Sequence, residues 1–137
     1  MTAKQFLKQY EDANRRALRY KTEYEAEQEL IDNVRSTLGG DGMPHGSGVS
    51  RKVEDQAIRL NEKLLKWKCA ELDAIRVRQE VFEVIRDISG VEGDLLFEKY
   101  INLHRWEDIC VLLNYSWNGI HKAHRRALRI VAERLNL

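Results

Sequence analysis

Hydrophobic residues recur at alternating steps of four and three in two long stretches of this chain. The first stretch begins near Thr2 and ends near Leu38, and Glu27 fills the one missing apolar place. Its apolar positions are Phe6, Tyr10, Ala13, Ala17, Tyr20, Tyr24, Ile31, Val34 and Leu38. Such steps place residues on one side of an α-helix and are typical of coiled coils. The pattern predicts one long helix with a continuous apolar seam.

The second stretch starts at Val53 and ends at Ile88, with polar residues at Glu71 and Arg78. Its seam consists of Val53, Ala57, Leu60, Leu64, Trp67, Ala74, Val81, Ile85 and Ile88. A flanking row predicts that this helix buries a wider face than the first; the row is Ile58, Leu65, Leu72, Ile75 and Phe82. Each helix would be about 50–60 Å long at 1.5 Å per residue. Two helices of matched length predict an antiparallel helical hairpin over residues 1–89.

The break between the two stretches, residues 39–50, reads GGDGMPHGSGVS and holds five of the eight glycines and the single proline. Gly39 is placed as a C-cap of the first helix and Ser50 as an N-cap of the second. A flexible glycine-rich tip is the favoured interpretation. A phosphate-binding loop fits less well, because no GK[ST] follows the glycines and no strand pattern precedes them.

Shorter periodic units replace the long pattern after Ser89 and Gly90. They predict three helices: Val91 to about Tyr100, residues 104–114, and Trp117 to about Leu135. The second has the apolar face Trp106, Ile109, Leu112 and Leu113, and the third has Ile120, Ala123, Ala127, Ile130 or Val131, and Leu135. A three-residue turn ending in the N-cap Ser116 is the layout of a helix-turn-helix. The predicted fold is therefore all-α, with a three-helix module at residues 90–137.

Charged residues add to this interpretation only in the last predicted helix. The net charge of the 137-residue chain is +1, so affinity for a polyanion would depend on a local concentration of Lys and Arg. The last predicted helix has one, since its only carboxylate is Glu133 against Lys122, Arg125, Arg126, Arg129 and Arg134.

The run EKYINLHRWEDICVLLNYSWNGIHKAHRRALRIV resembles region 4 of bacterial sigma factors. The matching positions, without a gap, are Tyr100, Trp106, Glu107, Asp108, Ile109, Ser116, Ile120, Arg125, Arg126, Ala127 and Leu128. The whole chain is also similar to a family of small, uncharacterised phage and prophage proteins that look like relatives of phage late-gene transcription activators. Region 4 usually has small polar or basic residues just after the cap, whereas this chain has Trp117, Asn118 and Gly119. A glycine within the first turns costs about 1 kcal/mol relative to alanine.

The resemblance implies a DNA-binding module whose recognition helix starts after Ser116. Residues at the start of that helix face base edges, which makes Trp117, Asn118, His121 and Lys122 candidates for base reading. Packing is the alternative role for Trp117. Residues further along reach phosphates, and the candidates are Arg125, Arg126 and Arg129.

The expected function is therefore a phage-derived transcriptional regulator that binds double-stranded DNA. The alternative is a protein-interaction or assembly adaptor that keeps the helix-turn-helix fold without DNA recognition. A second copy of the chain and RNA polymerase are the partners left open for the hairpin. We expect no enzyme activity, catalytic residues, cofactor or metal, because neither a nucleophile with its base nor a full ligand set around His121 and His124 is present. No signal peptide or membrane segment is visible, so a cytoplasmic protein without a membrane partner is expected.

Overall fold

The structure is a computed structural model that describes the backbone of residues 1–38 and 47–137 and the side chains of residues 1–36 and 51–137. All regular structure in these residues is helical, which confirms the all-α prediction. The helices are α1 (Ala3–Leu38), α2 (Ser47–Ile85), α3 (Gly90–Leu96), α4 (Trp106–Leu113) and α5 (Trp117–Arg134). A π-helical turn, Phe97–Ile101, continues α3.

The described residues form two compact units. Unit 1 contains Met1–Asn14 and Asp73–Leu137, and unit 2 contains Arg15–Leu72. The first turns of α1 therefore belong to the same unit as the C-terminal helices. These boundaries differ from the predicted domains, which divide the chain once, at residues 89 and 90.

In unit 2, side chains of α1 contact side chains of α2 in opposite order along the chain. The ring of Tyr24 lies 5.4 Å from that of Trp67 between centroids, and Glu27 pairs with Lys63 at 3.1 Å. Contacts that run in opposite order along two helices show that this part of α1 is antiparallel to α2. Glu27, the polar place in the first seam, is thus satisfied by a lysine from the other helix.

Unit 1 has a hydrophobic core to which α1, α2, α3, α4 and α5 all contribute. Its largest fully buried side chains are Leu7, Val81, Leu95, Leu96, Tyr100, Ile109, Ile120 and Val131. Gly93 lies in this core because the chain passes close to itself there: a Cβ atom on Gly93 would stand 1.9 Å from the carbonyl oxygen of Ile88. Glycine is the residue that permits such an approach.

Three details differ from the sequence predictions. Ser50 lies inside α2, which begins at Ser47, so its assignment as an N-cap was wrong and residues 47–50 are helical. The predicted C-cap Gly39 and the rest of the tip, residues 39–46, lie outside the described residues. The flanking row of α2 does not widen a buried face, since Ile58, Leu65, Leu72 and Ile75 are all more than half exposed. Leu112, predicted to face the core, is 57% exposed.

Neither cysteine of the chain is in a disulfide: Cys69 is exposed and Cys110 half-buried. Among the described helices, none combines the length and the apolar character needed to cross a membrane.

Candidate nucleic-acid interface

The turn between α4 and α5 is fixed by backbone hydrogen bonds. Asn114 adopts the left-handed conformation, with φ of 57°, and ends α4. The N–H of Tyr115 then donates to the carbonyl of Cys110 at 3.0 Å. Left-handed residues of this kind, often Gly or Asn, commonly end helices because they let the next N–H groups bond back to the last turn. Three residues thus suffice to reverse the chain into α5.

Ser116 begins α5 as its N-cap residue. Its backbone is extended, with φ of −71° and ψ of 161°, and its Oγ accepts a hydrogen bond from the N–H of Gly119 at 3.1 Å. An N-cap side chain of this type satisfies one of the otherwise unpaired N–H groups at a helix start.

Gly119, a departure from the sigma-like pattern, has a local reason. A Cβ atom at this position would stand 3.0 Å from the Oγ of Ser116 and 3.5 Å from the ring of Tyr115. The hydrogen of glycine leaves room for the cap, so part of the helix propensity lost here is offset by closer packing of the turn.

The buried face of α5 is formed by Ile120, Ala123, His124, Ala127 and Val131. The opposite face is a row of four exposed residues, which we call the α5 row: Asn118, Lys122, Arg125 and Arg129. Steps of four, three and four keep these residues in line along the helix. The row extends for about 16 Å at a rise of 1.5 Å per residue.

Two of the predicted base-reading residues lie off this row. The ring of His121 packs 4.8 Å from that of Trp106 and 4.5 Å from that of Trp117, between centroids. Its Nε2 is buried and has no hydrogen-bond partner within the described residues. Trp117 remains 52% exposed. His121 therefore packs against two aromatic rings, while the side chains of Asn118 and Lys122 are exposed to solvent.

His124 is buried, at 8% exposure, and its Nε2 is 2.7 Å from the hydroxyl of Tyr100. Its ring also meets that of Trp106 edge-on at 4.7 Å between centroids. Burial is the main cause that lowers the pKa of His124 to about 4, and the charges of Lys4, His121 and Lys99 lower it further. Burial likewise raises the pKa of Tyr100. Both groups are thus neutral at physiological pH.

The cations of α5 fall into two groups. The Nε of Arg126 donates to the Oε1 of Glu92 at 2.9 Å, and this bond lowers the pKa of the Glu92 carboxyl. The Nη1 of Arg134 donates to the carbonyl of Val84 at 3.0 Å. No such partner occurs in the described residues for the three cations of the α5 row. Of the predicted phosphate candidates, Arg125 and Arg129 are thus available, and Arg126 is engaged.

Large apolar side chains are exposed beside the same turn. Val111 is 82% exposed and Leu112 is 57% exposed, and Tyr115 and Trp117 are also exposed. We call these four residues the turn patch. The exposure of Leu112 could not be predicted from the sequence, because residues 109–113 are all apolar and point to every side of α4.

A group of three or more His, Cys, Asp or Glu side chains able to hold a metal ion is not found in the part of the chain that the structure describes. Comparison of the chain with models of protein families, with curated proteins and with solved structures finds no match.

Proposed function

We propose that this protein is a phage-derived transcriptional regulator that binds double-stranded DNA. In this proposal α4 and α5 act as a helix-turn-helix, α5 enters the major groove, and the paired helices α1 and α2 form a hairpin that contacts a second copy or RNA polymerase. The observation that carries the proposal is the α5 row, which sets three exposed cations opposite the buried face of the helix.

The order of residues along the α5 row suits this role. Asn118 and Lys122 lie in the first turns, where recognition helices meet base edges, and their side chains can pair with adenine and guanine. Arg125 and Arg129 lie further along, where long cationic side chains reach phosphates. The N-cap Ser116 and the bonded turn before it hold the start of α5 in place.

Fluorescence anisotropy with duplexes selected from a random pool tests the proposal. Wild-type affinity should fall linearly with salt on a double logarithmic plot, because bound phosphates release counterions. The variant Arg125→Ala/Arg129→Ala should bind more weakly, and the slope of its plot should be smaller by about two. The variant Arg59→Ala/Lys66→Ala removes two exposed cations from α2 and should behave as the wild type. Absence of salt-sensitive binding by the wild-type protein would refute the proposal.

The turn patch favours a second candidate, an adaptor that has kept the helix-turn-helix fold and binds a protein. Exposed apolar clusters on soluble proteins mark interaction sites. Under this alternative, RNA polymerase would be retained by immobilised wild-type protein after nuclease treatment and lost with Val111→Gln/Leu112→Gln. That result, together with absent DNA binding, would replace the first candidate by the second.

A further inference from the structure

The first turns of α1 begin the coiled-coil seam and also have a buried face and an exposed basic face. Ala3 and Leu7 are buried in the core of unit 1, at 7% and 0% exposure. Their burial fixes how this part of α1 is rotated. Lys4 and Lys8 each follow one residue later, so the two lysines are also four apart and lie on one face of the helix.

These two lysines line a polar cavity of about 220 Å³ in unit 1. Its wall includes Lys99 from the π-helical turn and His121 and His124 from α5. Lys99 is held there by Trp106, since its Nζ lies 5.1 Å from the centroid of that ring. We call this cavity the lysine pocket.

The lysine pocket has an excess of positive charge. Its wall has three ammonium groups and one carboxylate, that of Glu11. No ion pair of Lys4, Lys8 or Lys99 is found within the described residues. Lys4 and Lys99 are among the charges that lower the pKa of His124, which shows that their positive field reaches the inner wall.

We propose that the lysine pocket binds a phosphate group. Lysine ammonium groups bind phosphate as point charges, and three of them line this pocket, where they outnumber its single carboxylate. This inference rests on the proposed function for the source of the phosphate, which is the DNA backbone. His121 and His124 of the pocket wall directly precede Lys122 and Arg125 of the α5 row. Consecutive residues of a helix point about 100° apart, so the pocket lies on the side of α5 between its buried face and the α5 row. A duplex held by α5 therefore passes beside the pocket, and α1 adds a backbone contact outside the helix-turn-helix.

Anisotropy over a range of salt concentrations tests the contact with DNA. The variant Lys4→Ala/Lys8→Ala should bind DNA more weakly than the wild type, with a slope smaller by about two. Both side chains are exposed, so the variant should fold, and its circular dichroism and melting temperature should match the wild type. The matched control, Arg16→Ala/Arg19→Ala, removes two exposed cations from the same helix and should leave affinity and slope unchanged.

A thermal-shift titration with inorganic phosphate, against chloride at equal ionic strength, tests whether free phosphate is bound. If the wild type does not bind DNA but phosphate raises its melting temperature and not that of Lys4→Ala/Lys8→Ala, the pocket takes free phosphate and the DNA proposal fails alone. If the wild type binds DNA and the lysine variant behaves as the arginine control, the pocket proposal is overturned and the DNA proposal stands. Absence of both DNA binding and the phosphate shift overturns both.

Discussion

The buried His124 predicts that the stability of unit 1 falls in mild acid. The pKa of His124 is about 4 in the folded protein, below its ordinary value of 6.5. The groups around the imidazole are Tyr100, which shares a hydrogen bond with it, and the charged or titratable side chains of Lys4, Lys99 and His121. Below pH 6.5 the unfolded chain takes up a proton at His124, whereas the folded chain does so only near pH 4. Stability contributed by the neutral imidazole is therefore complete above pH 6.5 and is lost as the pH falls towards about 4.

The expected loss in the free energy of unfolding follows from the interval between the pKa values of His124 in the unfolded and folded chain. Each pH unit in which only the unfolded chain is protonated costs about 1.4 kcal/mol, so lowering the pH from about 7.5 to about 5 should cost about 2 kcal/mol. The variant His124→Gln is uncharged at every pH and should lose about 2 kcal/mol less than the wild type over the same interval. The other acidic and basic groups are common to both proteins and cancel in the comparison.

Urea unfolding followed by tryptophan fluorescence measures this difference. Both proteins would carry Trp67→Phe, so that the remaining signal comes from Trp106 and Trp117, which lie in unit 1. The free energy of unfolding is obtained by linear extrapolation at each pH. If the wild type and His124→Gln lose equal free energy between the two pH values, the imidazole is not held neutral by its surroundings and the reasoning is wrong.

Three further predictions concern the turn and the core. Ser116→Ala should lower the free energy of unfolding by about 1 kcal/mol through loss of the N-cap. Gly119→Ala should stabilise the Ser116→Ala protein more than it stabilises the wild type, and a double-mutant cycle would measure this difference as a coupling energy between the two residues. Tyr100→Phe should cost about 1–3 kcal/mol in urea unfolding, since it leaves its buried histidine partner without a hydrogen bond. Leu7→Ala should cost about 2–5 kcal/mol, whereas Leu65→Ala, at an exposed position, should change stability by less than about 0.5 kcal/mol; equal losses would contradict the assigned burial.

The long helices were predictable because their signal is local. A seam of alternating fours and threes repeats over many turns, and its ends at Leu38 and Ile88 lie within three residues of where α1 and α2 end. The start of α2 was missed because glycine and serine at residues 46–50 weaken the pattern, although the backbone is already helical from Ser47. Propensity is a weak guide at helix ends, where tertiary context decides.

Which apolar residues are buried could not be read from the same pattern. Leu7 lies one place from the seam position Phe6, yet it is fully buried, because the C-terminal helices pack on the first turns of α1. Leu65 lies one place from the seam position Leu64, yet it is exposed, because no other described element covers that side of α2. Identical local spacing thus has opposite outcomes, decided by contacts between residues far apart in sequence.

The sequence predicted the turn and the helix start of the candidate site but not the roles of its individual side chains. The turn from Asn114 to Ser116 and the start of α5 at Trp117 lie where the sequence pattern places them. The roles of individual histidines depend on rings from other helices, which no spacing within α5 can reveal. The sequence analysis missed the proposed role of Lys4 and Lys8 in the lysine pocket for a similar reason. Their spacing of four, next to Ala3 and Leu7 at the same spacing, was nevertheless a visible sign that these turns of α1 have one basic and one apolar face.

The side chains of α5 point in different directions and lie in different turns, so substitutions at different positions test different roles. Asn118 and Lys122 share the exposed row with Arg125 and Arg129, but only the first pair lies in the turns expected to meet base edges. Exchange of Asn118 for Ala should therefore alter which duplexes are selected and leave the salt slope unchanged, whereas loss of Arg129 should weaken binding to all duplexes alike and reduce the slope. His121 lies off the row, packs against Trp117 and lines the lysine pocket, so in this proposal its replacement affects DNA binding through those two features. In the proposed DNA complex, base contacts and phosphate contacts would thus lie in different turns of the α5 row, and the residues that support the helix would lie off that row.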